Sequence, residues 1–132
     1  MQLFLAGQWR DSAETLEVCS PYDQSLIDTV PIVGEAEVET ALARAVSGAA
    51  VMAKLTAYER YQILSRAATL LRERQETLAR TLTRESGKIL AEARAEVLRA
   101  ADTLEWSAEE AKRLRGEVLP LDAVTHGAGK FG

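Results

Sequence analysis

Cysteine, an intrinsically strong nucleophile, and histidine, the most frequent general base, each occur once in this chain, as Cys19 and His126. No histidine lies near Cys19 in the sequence to take its proton, and a thiol without such help is a weak nucleophile. A structural zinc site needs four ligands, mostly cysteine or histidine, so these two residues cannot form one. We therefore expect Cys19 to be a buried structural thiol.

Two glycine-containing stretches resemble phosphate-binding loops. Residues 127–132 read GAGKFG and match the pattern G-x-G-x-x-G. That pattern binds a pyrophosphate only where a helix begins at its end. No helical pattern follows here, which favours a flexible glycine-rich tail. Ser86-Gly87-Lys88 resembles the end of a Walker A loop, but Leu82 stands where that loop requires its first glycine, so this interpretation is excluded.

Charged residues of opposite sign are interleaved towards the end of the chain. Glu92 and Glu96 alternate with Arg94 and Arg99. On a helix, residues three or four positions apart are neighbours, so this spacing predicts ion pairs along one helix. The residues taken alone indicate a solvated helix face and define no catalytic group.

The elements that position these residues begin with a β unit, expected over residues 2–33. Apolar stretches flank Ala6-Gly7, which signals a hairpin turn. Further along, Thr15–Val18 and Leu26–Val30 flank a segment with the Pro and Asp of a turn. The pattern predicts short antiparallel strands.

Residues 35–116 carry apolar side chains every three or four positions, which predicts about four amphipathic helices. Thr56 and Glu59 have the spacing of a capping box, and Gly87 and Gly116 suit left-handed caps after the third and fourth helices. Residues 117–132 are expected to form an extended segment and a tail. The predicted fold class is therefore mostly α, with an N-terminal β-hairpin unit. The expected contacts between the second and fourth helices involve Leu64, Leu71, Val97 and Leu104.

Composition excludes several classes of protein. The 132 residues are 47% hydrophobic and 27% charged, as in one soluble globular domain. The 20 acidic and 16 basic residues are interleaved, so we expect no nucleic-acid partner. No apolar run is long enough to cross a bilayer and the N-terminus has no signal-peptide pattern, so we expect no membrane segment. The single cysteine fits a reducing compartment, and we expect a cytoplasmic protein.

Short segments spaced along the chain match, in order, the motifs of one protein family. LFLAGQW at 3–9 is similar to hydrophobic-x-N-G-x-W, and VCSPYD at 18–23 to the turn V-x-N-P-x-x-G. ESGK at 85–88 is similar to E-S-G-K-P, and RGEVLP at 115–120 to x-G-E-x-I-P. Ser20, Gln24 and Ile89 are among the departures from these motifs. With helical segments at 35–46 and 56–71 that also match, residues 2 to about 122 resemble the aldehyde dehydrogenase superfamily.

The resemblance implies an α/β fold in the whole family enzyme and oxidation of an aldehyde to a carboxylic acid with NAD or NADP. In that family a cysteine thiolate attacks the aldehyde, and a glutamate-activated water releases the acid. Both of those residues lie beyond this sequence, so Cys19 is not that nucleophile. The resemblance identifies residues 1–132 with the N-terminal portion of the cofactor-binding domain. We expect no catalytic or cofactor-binding residue in it, and no activity from it alone.

The resemblance also implies two candidate sites. Some family members hold a monovalent cation at positions that correspond here to the carbonyls of Val18 and Cys19 and to Glu85; the alternative is that Glu85 bonds to backbone amides near a helix end. The family's fourth helix runs along the mouth of the substrate tunnel, so Arg99 is a candidate contact for an anionic substrate. The alternative there is an ion pair between Arg99 and Glu96.

Two hypotheses about function remain open on the sequence. The first is a portion of an aldehyde dehydrogenase that acts on a small-molecule aldehyde. The second is a non-catalytic helical interaction module derived from that fold. In both, the apolar helix faces must be covered, and we expect a homo-oligomer or the remainder of the enzyme to cover them.

Overall fold

Four short strands precede the helices in the computed structural model, which describes residues 1–130. Strand β1, Leu3–Leu5, pairs antiparallel with β2, Gln8–Arg10. Strand β3, Thr15–Cys19, pairs antiparallel with β4, Leu26–Pro31. The two pairs form separate two-stranded sheets, so the antiparallel strands expected from the sequence are confirmed.

The turn between β1 and β2 has positive φ angles at both central residues, Ala6 at 54° and Gly7 at 85°. Two positive φ angles match the right-handed twist of a two-residue hairpin. Glycine adopts this region freely, but alanine does so at a cost because its Cβ approaches the next carbonyl oxygen. The hairpin therefore forms despite strain at Ala6.

Four α-helices follow the strands. They are α1, Glu35–Met52; α2, Ala57–Glu73; α3, Gln75–Ser86; and α4, Leu90–Ala111. None of the helices in residues 1–130 has the length and apolarity needed to cross a bilayer.

Two of the helix-end signals in the sequence are confirmed. The Thr56 hydroxyl accepts a hydrogen bond from the Glu59 amide at 3.2 Å, and the Glu59 carboxylate accepts one from the Thr56 amide at 2.8 Å. This is the reciprocal capping box at the start of α2. Gly87 ends α3 with φ of 71°, the left-handed conformation that glycine adopts without steric cost.

The fourth helix ends at Ala111, before Gly116, so the prediction of a glycine cap at Gly116 is wrong. Beyond Ala111, Lys112 and Arg113 form ion pairs at 2.8 Å and 2.6 Å with the glutamates three positions earlier. Basic side chains at a helix C-terminus also interact favourably with its dipole. The segment after the helix is not wholly extended, since short 3₁₀ turns lie at Leu121–Ala123 and Thr125–Gly127.

Alanine side chains fill the interface between α4 and the helices α2 and α3. The fully buried positions there are Ala68, Ala79, Ala93, Ala101 and Ala108. Val97 is also buried, as predicted, but Leu64, Leu71 and Leu104 are only half-buried. The expected leucine core is therefore wrong in part. Small side chains let two helix backbones approach closely, and larger ones are then displaced towards the edges of the contact.

Helix α1 has no buried residue. Its apolar stripe includes Val38, Leu42 and Val46, whose exposed fractions are 45%, 55% and 74%. The amphipathic pattern correctly predicted the helix. Within residues 1–130, however, the stripe has little to pack against besides the nearby strand residues Leu3 and Leu5.

Candidate functional site

The β3–β4 turn packs against the C-terminal end of α3. A Cβ atom placed on Gly87 would lie 3.0 Å from Cγ of Pro21, so the Pro21 ring lies against the backbone of Gly87. The pKa of the Asp28 carboxyl on β4 is lowered chiefly by the Thr29 backbone amide, next by the chain's amino terminus, and more weakly by Arg84 of α3. The fold thus brings the turn that follows Cys19 to the helix end that carries Glu85.

Local hydrogen bonds fix the shape of this turn. The Ser20 amide donates to the Ser25 carbonyl and the Gln24 amide to the Ser20 carbonyl, each at 2.9 Å. The Ser25 hydroxyl donates to the Asp23 carboxylate at 2.7 Å, and this bond is the main cause of the lowered pKa of Asp23. The Ser25 amide donates to the same Asp23 oxygen at 3.1 Å, and this Asx-type bond to a backbone amide two positions on is the reason that Asp favours turns.

The three residues suggested for a cation differ in exposure. Val18 is half-buried, while Cys19 and Glu85 are exposed. The expectation of a buried thiol at Cys19 is therefore wrong: Cys19 ends a strand of a two-stranded sheet, at a register irregularity after Val18. Among residues 1–130, no three His, Cys, Asp or Glu side chains gather to hold a metal. A cation here would depend on main-chain carbonyl oxygens, which hard cations accept as ligands.

Arg99 lies on the outer side of α4. Residues two positions apart on a helix are rotated by roughly 200°, so Arg99 points away from Val97, which is buried against α3. Its side chain is exposed. The sequence offered two partners for it, an anionic ligand or Glu96.

Glu96 forms its ion pair with Lys88, which lies in the loop between α3 and α4. The hydrogen bond from Lys88 is the main cause of the lowered pKa of the Glu96 carboxyl, the Lys88 charge comes next, and Arg99 contributes less. Arg94 likewise bonds to Glu76 of α3, at 2.8 and 3.0 Å. The predicted pairing of these charges along α4 is therefore wrong, because cations and carboxylates of neighbouring elements are closer.

The second carboxylate near Arg99 on its own helix is also engaged. Asp102, three positions after Arg99, accepts a hydrogen bond from Arg72 of α2 at 2.8 Å. Arg72 bonds Glu105 as well, at 2.5 Å. Within residues 1–130, no carboxylate lies within ion-pair distance of Arg99. The pairing of Lys88 and Arg72 with carboxylates of α4 was not predicted, since no local spacing connects either residue to that helix.

A β-hairpin unit followed by four helices is the arrangement that the sequence led us to expect. The aldehyde dehydrogenase family model matches residues 9–130. The chain therefore belongs to the aldehyde dehydrogenase family.

Curated relatives include dehydrogenases of several aldehydes. The chain is 41% identical over 122 residues to 3-sulfolactaldehyde dehydrogenase of Priestia aryabhattai, covering 92% of this chain and 25% of the relative. It is 41% identical over 121 residues to glutarate-semialdehyde dehydrogenase of Pseudomonas putida, covering 90% and 25%. The E. coli NADP⁺-dependent succinate-semialdehyde dehydrogenase is 38% identical, again over 90% and 25%. The chain spans about a quarter of the length of these relatives.

Solved structures agree with this assignment. Aldehyde dehydrogenase 21 of Physcomitrella patens, in complex with succinate, superposes with a TM-score of 0.92 at 37% identity over 97% of this chain and 27% of the other. The NADP-dependent glyceraldehyde-3-phosphate dehydrogenase of Bacillus halodurans, in complex with NADP, also gives 0.92, at 29% identity over 98% and 28%. The fold of this chain is therefore that of a portion of a larger α/β enzyme.

Proposed function

We propose that the chain is a working portion of an NAD(P)-dependent aldehyde dehydrogenase. The observation that carries the proposal is the match of residues 9–130 to the family. The nicotinamide cofactor does not fit the described residues by themselves. The sequence 127–132 has the G-x-G-x-x-G pattern, but its beginning lies in the 3₁₀ turn Thr125–Gly127 and follows no β-strand. We assign no cofactor contact to residues 1–130.

The proposed substrate is an aldehyde that carries a second, anionic group. The relatives named for glutarate semialdehyde, succinate semialdehyde and 3-sulfolactaldehyde act on such molecules. Arg99 is the proposed contact for that anionic group, because its guanidinium is exposed and carries no carboxylate partner within residues 1–130. A guanidinium binds carboxylates and sulfonates through paired hydrogen bonds.

A chimera tests both parts of this proposal. Residues 1–130 would replace the matching quarter of the E. coli succinate-semialdehyde dehydrogenase. We expect an active enzyme whose Arg99→Gln variant has a raised KM for succinate semialdehyde and an unchanged KM for butanal, which lacks the carboxylate. An inactive but folded chimera would contradict the proposed enzymatic role, and equal effects on both aldehydes would contradict the role of Arg99.

We also propose a monovalent cation site formed by the carbonyls of Val18 and Cys19 with Glu85. The seating of Pro21 on Gly87 supports it, because that contact brings the turn close to the end of α3. The melting temperature is measured in buffer that contains choline chloride and again in buffer that contains potassium or sodium chloride. Potassium or sodium should raise the melting temperature of the chain, and Glu85→Gln should abolish the increase. Glu92→Gln, an exposed carboxylate elsewhere, is the control. An increase that survives Glu85→Gln favours the alternative in which Glu85 only bonds to backbone amides.

The proposed partner is the remainder of the enzyme or a second copy of the chain. The exposed stripe of α1 supports a partner, since monomers rarely leave large apolar patches uncovered. The same observation supports the alternative of a non-catalytic interaction module. Light scattering over a dilution series should show concentration-dependent association. A well-folded monomer at high micromolar concentration that binds no apolar dye would contradict the expectation.

We also propose that the protein is cytoplasmic, where its single thiol would stay reduced.

A further inference from the structure

Arg99 has no ion-pair partner within residues 1–130, although carboxylates lie near it on α4. On a helix, the side chains three or four positions away are the ones that can reach a given residue. For Arg99 these positions hold Ala95, Glu96, Asp102 and Thr103. Two of the four are carboxylates, and either could neutralise the guanidinium.

Each of these carboxylates is held by a cation from a different element. Lys88, in the loop before α4, pairs with Glu96, and Arg72 of α2 pairs with Asp102. The exposed fraction of the Lys88 side chain is 33%, so this cation is partly shielded, whereas that of Arg72 is 39% and the residue is exposed. Arg99 itself is exposed.

We infer that Lys88 and Arg72 are positioning residues that keep Arg99 available to an anion by holding the two carboxylates that would otherwise pair with it. The inference rests on the proposed role of Arg99 as the contact for an anionic substrate. The two cations contribute to specificity without touching the substrate. They remove local competitors, and their positive charge makes the surface near Arg99 less repulsive to an anion.

The test uses the chain itself and succinate, a dicarboxylate, as the probe. Binding is followed by NMR through the Nε–H signal of Arg99. Removing Lys88 frees Glu96 to form an exposed helical ion pair with Arg99, and a pair of that kind weakens a competing anion about two-fold. We therefore expect Lys88→Met to raise the apparent Kd about two-fold, and we expect the added change Glu96→Gln to restore it. Lys88→Arg should behave like the wild type.

Arg113→Met is the matched control. It also removes one positive charge and one ion pair, that between Arg113 and Glu110, but beyond the C-terminal end of α4 and about three helical turns from Arg99. The apparent Kd should not change in this variant. An equal loss of affinity in Lys88→Met and Arg113→Met would overturn the inference, because the effect would then report net charge alone.

A second readout separates ion pairing from general electrostatics. The pKa of the Glu96 carboxyl is measured by ¹³C NMR with and without Arg99→Met, in the wild type and in Lys88→Met. If the freed carboxylate turns to Arg99, the rise in pKa caused by Arg99→Met is larger in the Lys88→Met background. Equal rises in both backgrounds would overturn the inference. If Arg99 does not respond to succinate in the wild type, the proposed substrate contact fails, whereas the pKa cycle still decides whether Lys88 keeps Glu96 from Arg99.

Discussion

The alanine contact between α2 and α4 gives the sharpest test of the packing, through the substitution Ala101→Leu. Ala101 has no exposed surface, and it lies beside Asp102, which bonds Arg72 of α2, so we infer that it is buried between α4 and α2. A leucine at this position must push the two helices apart or adopt a strained rotamer. Overpacking of this kind costs about 1–3 kcal/mol. For a domain of this size, 1 kcal/mol lowers the melting temperature by about 4 °C, so we expect a decrease of about 4–12 °C.

Ala95→Leu is the matched control for Ala101→Leu. Ala95 lies on the same helix and is exposed, and alanine and leucine have similar helix propensities. Its melting temperature, followed by circular dichroism at 222 nm, should stay within about 2 °C of the wild type. Leu104→Ala gives a further check: because Leu104 is half-buried, its cost should fall below the 2–5 kcal/mol usual for a buried leucine. An unchanged melting temperature in Ala101→Leu would refute the alanine contact, and a similar loss in both leucine variants would show a propensity effect instead.

Three further predictions concern a turn, a helix cap and two hydrogen-bonded carboxylates. Ala6→Asn should raise the free energy of unfolding by about 0.5–1 kcal/mol, because asparagine tolerates positive φ better than alanine. Urea denaturation measures this free energy. A loss of stability in the variant would contradict the turn geometry. Thr56→Ala should cost about 1 kcal/mol by removing the cap of α2, whereas Thr56→Ser should cost little in the same assay. Hydrogen bonds from the Thr56 amide and from Arg94 lower the pKa values of Glu59 and Glu76, respectively. Their stabilisation is therefore complete above the ordinary glutamate pKa of about 4.3 and is lost as the pH falls through the lower folded values. The melting temperature is measured from pH 7 to pH 2 and should fall as the pH drops below about 4.3. The decrease should be smaller in Arg94→Met. An identical pH profile in that variant would contradict the ion pair between Arg94 and Glu76.

Much of the local structure was determined by the sequence because its causes lie within a few residues. The turn at Ala6-Gly7 joins two strands that directly precede and follow it in the sequence. The capping box needs only Thr56 and Glu59, which are three positions apart. Gly87 stops α3 through its own backbone freedom. The family could also be identified from sequence, because its motifs depend on residue order and not on packing.

Other features depended on residues distant in the sequence, and local patterns could not supply them. The helical period marked the apolar face of α4, but the close approach of α2 and α3 decided that alanines such as Ala101 would be buried and that Leu104 would be only half-buried. The exposure of Cys19 follows from the lack of a layer over its two-stranded sheet within the described residues. Similarly, Glu96 bonds to Lys88 and not to Arg99 because α3 ends at Gly87 and the loop that follows leaves Lys88 within reach of Glu96. Spacing along one helix shows which charges can meet, but only the tertiary structure determines which cation is closest to each carboxylate.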